Sequence, residues 1–122
     1  METERIYLPD IKLEWSDWVR WDDLWVGVEK GVITLPFGRP GVYEAKCQDA
    51  EDRLTIGKAR RDLGGAIESG LVDGATNHGL RIRWNVRTSE IVVRWAVTEC
   101  PAAAEESLLK RHDRKFGALP PY

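Results

Sequence analysis

Two segments in the second half of the sequence alternate between apolar and polar residues, and this alternation constrains the fold more than any other feature. In residues 80–87 (LRIRWNVR), three of the four polar positions are arginines. Residues 91–98 (IVVRWAVT) place Ile, Val, Trp and Val in the same phase. Because successive side chains of a strand point to opposite faces of a sheet, each segment predicts a half-buried strand, with a turn at residues 88–90. The chain is therefore expected to contain an antiparallel sheet with one face in the core.

A hairpin is predicted earlier in the chain. Residues 42–47 (VYEAKC) and 53–57 (RLTIG) are short, strand-like segments, and the polar residues QDAED separate them. Residues 35–41 (LPFGRPG) contain two prolines and two glycines, which is typical of a turn. These signals place a turn before the hairpin and a tight loop within it.

Residues 58–69 (KARRDLGGAIES) are predicted to be helical, and residues 70–79 to form a loop. The adjacent Gly64 and Gly65 are unfavourable inside a helix, by about 1 kcal/mol each relative to alanine. Their presence indicates either a close contact at that point or a helix that begins late.

Two further helices are predicted, one near each end. Pro101 suits the first turn of a helix, and Gly117 suits the position after its end, so residues 101–116 are expected to be helical. Near the other end, tryptophans recur with spacings of 3, 3 and 4, which predicts one helix face. That face either packs on the core or forms an aromatic surface for bases or for a partner protein. The tryptophans are Trp15, Trp18, Trp21 and Trp25.

The order of these elements predicts an α+β fold, a small antiparallel sheet flanked by helices. The chain has 122 residues, which is typical of one domain. Residues 1–37 are interpreted as a Trp-rich extension packed on the core, because so short a segment cannot bury a core alone. Residues 38–122 are interpreted as the main domain.

The charge of the chain is uneven. The formal net charge is −2, yet residues 1–52 carry 6 Lys/Arg against 12 Asp/Glu, and residues 53–122 carry 12 against 8. The second part is therefore the one suited to an anionic partner, although its excess of 4 positive charges favours weak or partner-assisted binding of nucleic acid. No apolar segment approaches the roughly 20 residues of a membrane span, and no signal peptide is evident. The two cysteines, Cys47 and Cys100, are expected to be buried and reduced, which favours a cytoplasmic protein.

Several short motifs resemble those of the GIY-YIG nuclease family over residues 38–122. Gly41–Tyr43 (GVY) stands at the start of the first hairpin strand, and Thr55–Gly57 (TIG) stands in the second. Lys58–Ala59 and Asp62–Leu63 resemble the residues that lead into the family's helix. In the last predicted helix, AAAEESLLKRH resembles the family's metal-binding helix, with Glu105 in the matching position.

The resemblance implies a metal-dependent endonuclease that hydrolyses DNA. Glu105 would bind one divalent ion, Mg²⁺ or Mn²⁺, and Mg²⁺ typically takes one or two carboxylates. Tyr43 would position or deprotonate the attacking water, and Lys58 with Arg60 and Arg61 would contact the phosphate. The basic face of the predicted strands could add phosphate contacts. That face carries Arg81, Arg83, Arg87 and Arg94.

Three positions depart from the family pattern. Thr55 replaces the second tyrosine, and Gly65 or Ala66 stands where the family has a helix arginine. The family's terminal asparagine has no counterpart after Tyr122. Arg61, one turn earlier, is the candidate replacement for the missing arginine. The alternative hypothesis is therefore a degenerate module that binds DNA or a protein without cutting.

Each candidate also has a purely structural interpretation. Tyr43 can be a half-buried strand residue, and Glu105 can be stabilised by the dipole near a helix start. His112 is expected on a helix surface, and His78 in a loop without a role, because neither has the spacing of a metal ligand.

Overall fold

The computed structural model describes residues 12–74 and 77–122, which form an α+β fold with a four-stranded antiparallel sheet, as predicted. The strands are β1 (Val19–Arg20), β2 (Gly41–Cys47), β3 (Thr55–Ala59) and β4 (Ile91–Val97). The helices are α1 (Trp21–Glu29), α2 (Leu63–Gly65, continued by π-helical turns over Ala66–Val72), α3 (Asn77–Asn85) and α4 (Pro101–Phe116), and a 3₁₀ turn spans Thr88–Glu90. No helix in these ranges is long and apolar enough to cross a membrane.

The strand order is β1-β4-β2-β3, so β2 lies inside the sheet and β3 lies at an edge. The predicted hairpin is confirmed, because β2 and β3 pair antiparallel with Tyr43 opposite Gly57. β2 also pairs with β4, which places Trp95 on the other side of Tyr43. β4 agrees with the strand predicted from the alternation of residues 91–98.

The last helix agrees with its sequence signals at both ends. α4 begins at Pro101, which needs no amide hydrogen in the first turn. It ends before Gly117, whose φ of +75° is the left-handed conformation that glycine adopts readily. Ala104 of α4 packs on Val42 and Ala96 of the sheet.

The strand predicted for residues 80–87 is wrong, because α3 occupies this segment. Both neighbours of β4 in the sheet are already taken by β1 and β2, which leaves no pairing position for another strand beside it. The helix buries Ile82 completely and turns Trp84 outward, with 78% of that residue exposed. The alternation of residues 80–87 therefore does not correspond to two sheet faces.

The helix predicted from the spacing of the tryptophans is only partly confirmed. α1 begins at Trp21, which is buried, and Trp25 is half exposed. Trp15 and Trp18 precede the helix in extended chain. Both rings contact the guanidinium of Arg94 on β4. Helical spacing does not predict this contact, because the residues are far apart in the sequence.

The helix predicted over residues 58–69 begins late, because Lys58 and Ala59 belong to β3. Asp62 caps the first turn of α2 by accepting a hydrogen bond from the Gly65 amide at 3.1 Å. A Cβ atom at Gly64 would lie 2.8 Å from the Phe37 amide nitrogen, so glycine permits a close approach there. The helical turns then continue to Val72, and α3 begins at Asn77, inside the loop predicted for residues 70–79.

The two faces of the sheet are covered by different helices. α4 packs on one face, and the larger core lies on the other face under α1, α2 and α3. Trp21 and Leu24, from the extension assigned to residues 1–37, join this larger core, and β1 adds a strand to the sheet. The part of the extension from residue 12 onward therefore packs into the same structure as the rest of the chain.

Candidate active site

Tyr43 lies on β2 with its ring across Gly57 of the edge strand β3. Only 8% of Tyr43 is exposed. A Cβ atom at Gly57 would overlap the Tyr43 phenol, so glycine at this position gives the ring its place. Gly57 of the TIG motif thus leaves the space that the ring of Tyr43, from the GVY motif, occupies.

Burial, and after it the neighbouring Glu105 carboxylate, raise the pKa of Tyr43 to about 12. The phenol is therefore protonated at neutral pH. In that form Tyr43 can orient a water molecule by hydrogen bonding, but it is a poor general base.

Glu105 of α4 and Lys58 of β3 form an ion pair on the sheet face that α4 covers. Lys58 Nζ donates a hydrogen bond to Glu105 Oε1 at 2.8 Å. Both side chains are partly accessible, with 31% of Lys58 and 20% of Glu105 exposed. Lys58 is paired with Val42 and shares the sheet face that α4 covers, whereas the Tyr43 side chain joins the larger core on the other face. The link between the ion pair and Tyr43 is the charge of Glu105, which contributes to the raised pKa of Tyr43.

The donor set at Glu105 fits Mg²⁺ better than a metal that needs several protein ligands. Among residues 12–74 and 77–122, no group of three or more His, Cys, Asp or Glu side chains has an arrangement suited to a metal ion. Mg²⁺ commonly binds one or two carboxylates and keeps several waters. An ion bound at Glu105 would compete with Lys58 for the same carboxylate.

Thr55, which the resemblance aligns with the second tyrosine of the GIY-YIG pattern, is fully buried. Its Oγ1 lies 2.6 Å from His78 Nε2 and 3.3 Å from the Tyr122 carbonyl oxygen. His78 was predicted in a loop without a role, but it lies in α3 and contacts β3 through Thr55. Burial, and secondarily Arg81, lower the pKa of His78, which favours its neutral form.

The position of the family's helix arginine carries no cation here. Gly65 donates its amide to Asp62 Oδ1, and the Gly38 amide binds the same oxygen at 2.8 Å. These two hydrogen bonds lower the pKa of Asp62. Arg61 and Arg60 are exposed just after β3, close in sequence to Lys58.

The predicted phosphate-binding arginines divide into two groups. Arg81 and Arg83 are exposed on α3. Arg94 lies on β4, where its Nε and Nη2 are 2.8 Å and 2.7 Å from Glu44 Oε1. Its guanidinium is also 4.1 Å and 4.5 Å from the ring centroids of Trp15 and Trp18. Arg94 thus belongs to a cluster with Glu44, Trp15 and Trp18, and its guanidinium is not available to bind phosphate.

The sequence did not reveal the buried part of this cluster. Glu44 is 3% exposed, and Arg53 Nε lies 3.1 Å from the oxygen that Arg94 binds. His112, predicted on a helix surface, is buried: Nε2 accepts the Arg53 amide at 3.0 Å, and Nδ1 lies 2.7 Å from the Ala118 carbonyl oxygen. The only sequence signal was that Glu44 and Arg94 each occupy a strand position between apolar residues.

Both cysteines are free, but neither is buried as predicted. Cys100 is exposed and Cys47 is partly exposed.

Comparisons of the chain with family models, with curated proteins and with solved structures find no match.

We expect the titration of Tyr43 to be visible in the ultraviolet absorbance of tyrosinate. The wild-type minus Tyr43→Phe difference should show a midpoint near pH 12, against about 10 for free tyrosine. Because the folded pKa is raised, the contribution of Tyr43 to stability is complete below pH 10 and is lost as pH rises through 12. Glu105→Gln should move the midpoint down. A midpoint near 10 in the wild-type protein would contradict this environment.

Proposed function

We propose that the protein is a metal-dependent endonuclease that hydrolyses phosphodiester bonds in DNA, with a site of the GIY-YIG type. The observation that supports this proposal best is the ion pair of Lys58 and Glu105 at β3, together with the effect of the Glu105 charge on the pKa of Tyr43. Their three residue types provide a water-orienting hydroxyl, a phosphate-binding cation and a metal-binding carboxylate, which phosphodiester hydrolysis requires.

In the proposed mechanism Glu105 would hold Mg²⁺ or Mn²⁺, and the ion would supply charge neutralisation at the phosphate and activation of water. Lys58, released from Glu105, turns to a non-bridging phosphate oxygen. Tyr43 would keep its proton and orient the attacking water through its hydroxyl. As that water bonds to phosphorus its proton would pass to solvent, and the P–O bond to the leaving sugar oxygen would break, with solvent protonating that oxygen. Arg60 and Arg61 contact neighbouring phosphates from the exposed chain after β3.

A second candidate function is binding of DNA without cleavage. Its support is that Thr55 is buried against His78 and that Gly65 offers no cation, so two of the family's functional groups are missing. For this function the Lys58–Glu105 pair is a structural ion pair. DNA binding would then survive replacement of Glu105.

The partners proposed are DNA, bound weakly or with assistance, and a protein docked on α1. The exposed Trp25 and Val26 of α1 support a protein-binding surface. A cytoplasmic location is also proposed, and the two free cysteines support it.

The proposal is tested by incubating the protein with end-labelled duplex, flap and single-stranded DNA, in Mg²⁺, in Mn²⁺ and in EDTA. We expect cleavage of at least one substrate in either metal and no cleavage in EDTA. Binding measured on the same substrates in EDTA separates the two candidates. Binding without cleavage in any metal would replace the endonuclease by the non-cleaving module.

A further inference from the structure

α3 presents an exposed tryptophan between two arginines. Trp84 is 78% exposed, against 50% for Trp25 and 3% for Trp21. Arg81 precedes it by three residues on the same helix, where residues three apart are neighbours on the surface. Arg87 follows it by three residues, in the extended segment just after the helix ends. Arg81 and Arg87 are also exposed. We name Arg81, Trp84 and Arg87 the α3 stripe.

The charge around the α3 stripe favours an anionic partner. Residues 77–87 include three arginines and no Asp or Glu. The ion pairs found within the described ranges do not involve these arginines. Trp25, by contrast, lies on α1 with Asp22 and Asp23 in the first turn. Of the two most exposed tryptophans, Trp84 is therefore the one whose surroundings attract phosphate.

The α3 stripe lies on and just after the helix whose first turn reaches the β3 edge through His78. His78, one turn before Arg81, meets Thr55 of β3 at 2.6 Å. Thr55 lies two residues before Gly57, on the same face of the strand, and the Tyr43 ring crosses Gly57. The first turn of α3 therefore links the α3 stripe to the β3 edge.

We propose that the α3 stripe binds single-stranded DNA, with Trp84 stacked on an unpaired base and Arg81 and Arg87 on flanking phosphates. DNA as the ligand rests on the proposed function, while the single-stranded form is inferred from the exposed indole. Bases within a duplex are stacked on each other, and an unpaired base offers a free face to an aromatic ring. Exposed arginines that precede and follow Trp84 in the sequence suit a backbone that carries one phosphate per nucleotide.

The experiment is fluorescence anisotropy of a labelled twelve-nucleotide oligo-dT in EDTA. We expect Trp84→Ala to weaken binding at least about fivefold, since stacking on an aromatic side chain contributes about 1–3 kcal/mol per base. Trp84→Phe should retain most of the affinity. Trp25→Ala is the matched control and should bind like the wild type. Because Trp84 is exposed, its replacement leaves the core intact, which circular dichroism verifies.

Arg87→Ala provides a second readout. It should reduce the slope of log K against log salt concentration by about 0.7, the effect of losing one phosphate contact on a single strand. Equal binding by wild type and Trp84→Ala, or equal losses in Trp84→Ala and Trp25→Ala, would overturn the inference. Since EDTA prevents cleavage, an inactive protein that binds oligo-dT through Trp84 would refute the endonuclease and leave the α3 stripe in place.

Discussion

Glu105→Gln is expected to lower the rate of Mg²⁺-dependent DNA cleavage by about 10³-fold or more. Glu105 is the one carboxylate that the motifs assign to the metal, and a catalytic metal contributes several kcal/mol to transition-state stabilisation, with 1.36 kcal/mol for each tenfold change in rate. Glutamine keeps the shape of the side chain and can still accept a hydrogen bond from Lys58. The measurement is single-turnover cleavage of the best substrate found for the wild type.

Glu106→Gln is the matched control for this variant. Glu106 is the next residue of α4 and points about 100° away around the helix. Its carboxylate is 66% exposed and pairs with Lys110 at 3.0 Å, so its loss should leave cleavage within about twofold. Comparable losses in both variants, or full activity in Glu105→Gln, would contradict the role given to Glu105.

Glu44→Ala is expected to reduce the free energy of unfolding by about 3–5 kcal/mol and Tm by roughly 10–20 °C. Glu44 is 3% exposed, and its Oε1 meets Arg94 at 2.7 Å and Arg53 at 3.1 Å. Removing the carboxylate leaves two arginines facing each other without the charge that neutralises them. Arg94 also holds Trp15 and Trp18 on the sheet, so their packing loosens as well. Urea unfolding followed by circular dichroism measures the change.

The exposed pair Glu106–Lys110 offers the reference for a surface ion pair, and Glu106→Ala should change the free energy of unfolding by less than about 1 kcal/mol. If Glu44→Ala has an equally small effect, the cluster around Glu44 does not carry the stability assigned to it. Tryptophan fluorescence provides an independent check, because release of Arg94 should alter the surroundings of Trp15 and Trp18.

Local signals were sufficient for the hairpin, β4 and α4. Proline at the start of α4, glycine at its end and the polar turn between β2 and β3 act within a few residues. Residues 80–87 were misassigned because alternation of apolar and polar residues is typical of a strand, but a strand forms in a sheet only where a neighbouring strand can pair with it. β1 occupies the edge position next to β4, so residues 80–87 have no place to pair with β4.

The motifs named candidate site residues, but they did not indicate the contacts that these residues make. The motifs named Tyr43, Lys58 and Glu105, whereas the ion pair between Lys58 and Glu105 joins residues 47 positions apart. The ion pair between Arg94 and Glu44 depends on the pairing of β4 with β2, which joins residues 50 positions apart in the sequence. Such contacts follow from tertiary structure, so spacing in the sequence could not show which arginines remain free.

The most direct test of the central claim is an anomalous-scattering map from a crystal of the protein with a short oligonucleotide and Mn²⁺. The claim is that Glu105 is a metal ligand in a site shared with Tyr43 and Lys58. We expect an ion within coordination distance of a Glu105 carboxylate oxygen, with Lys58 turned from Glu105 toward a phosphate. A map without an ion at Glu105, in which Lys58 still pairs with that carboxylate, would contradict the claim.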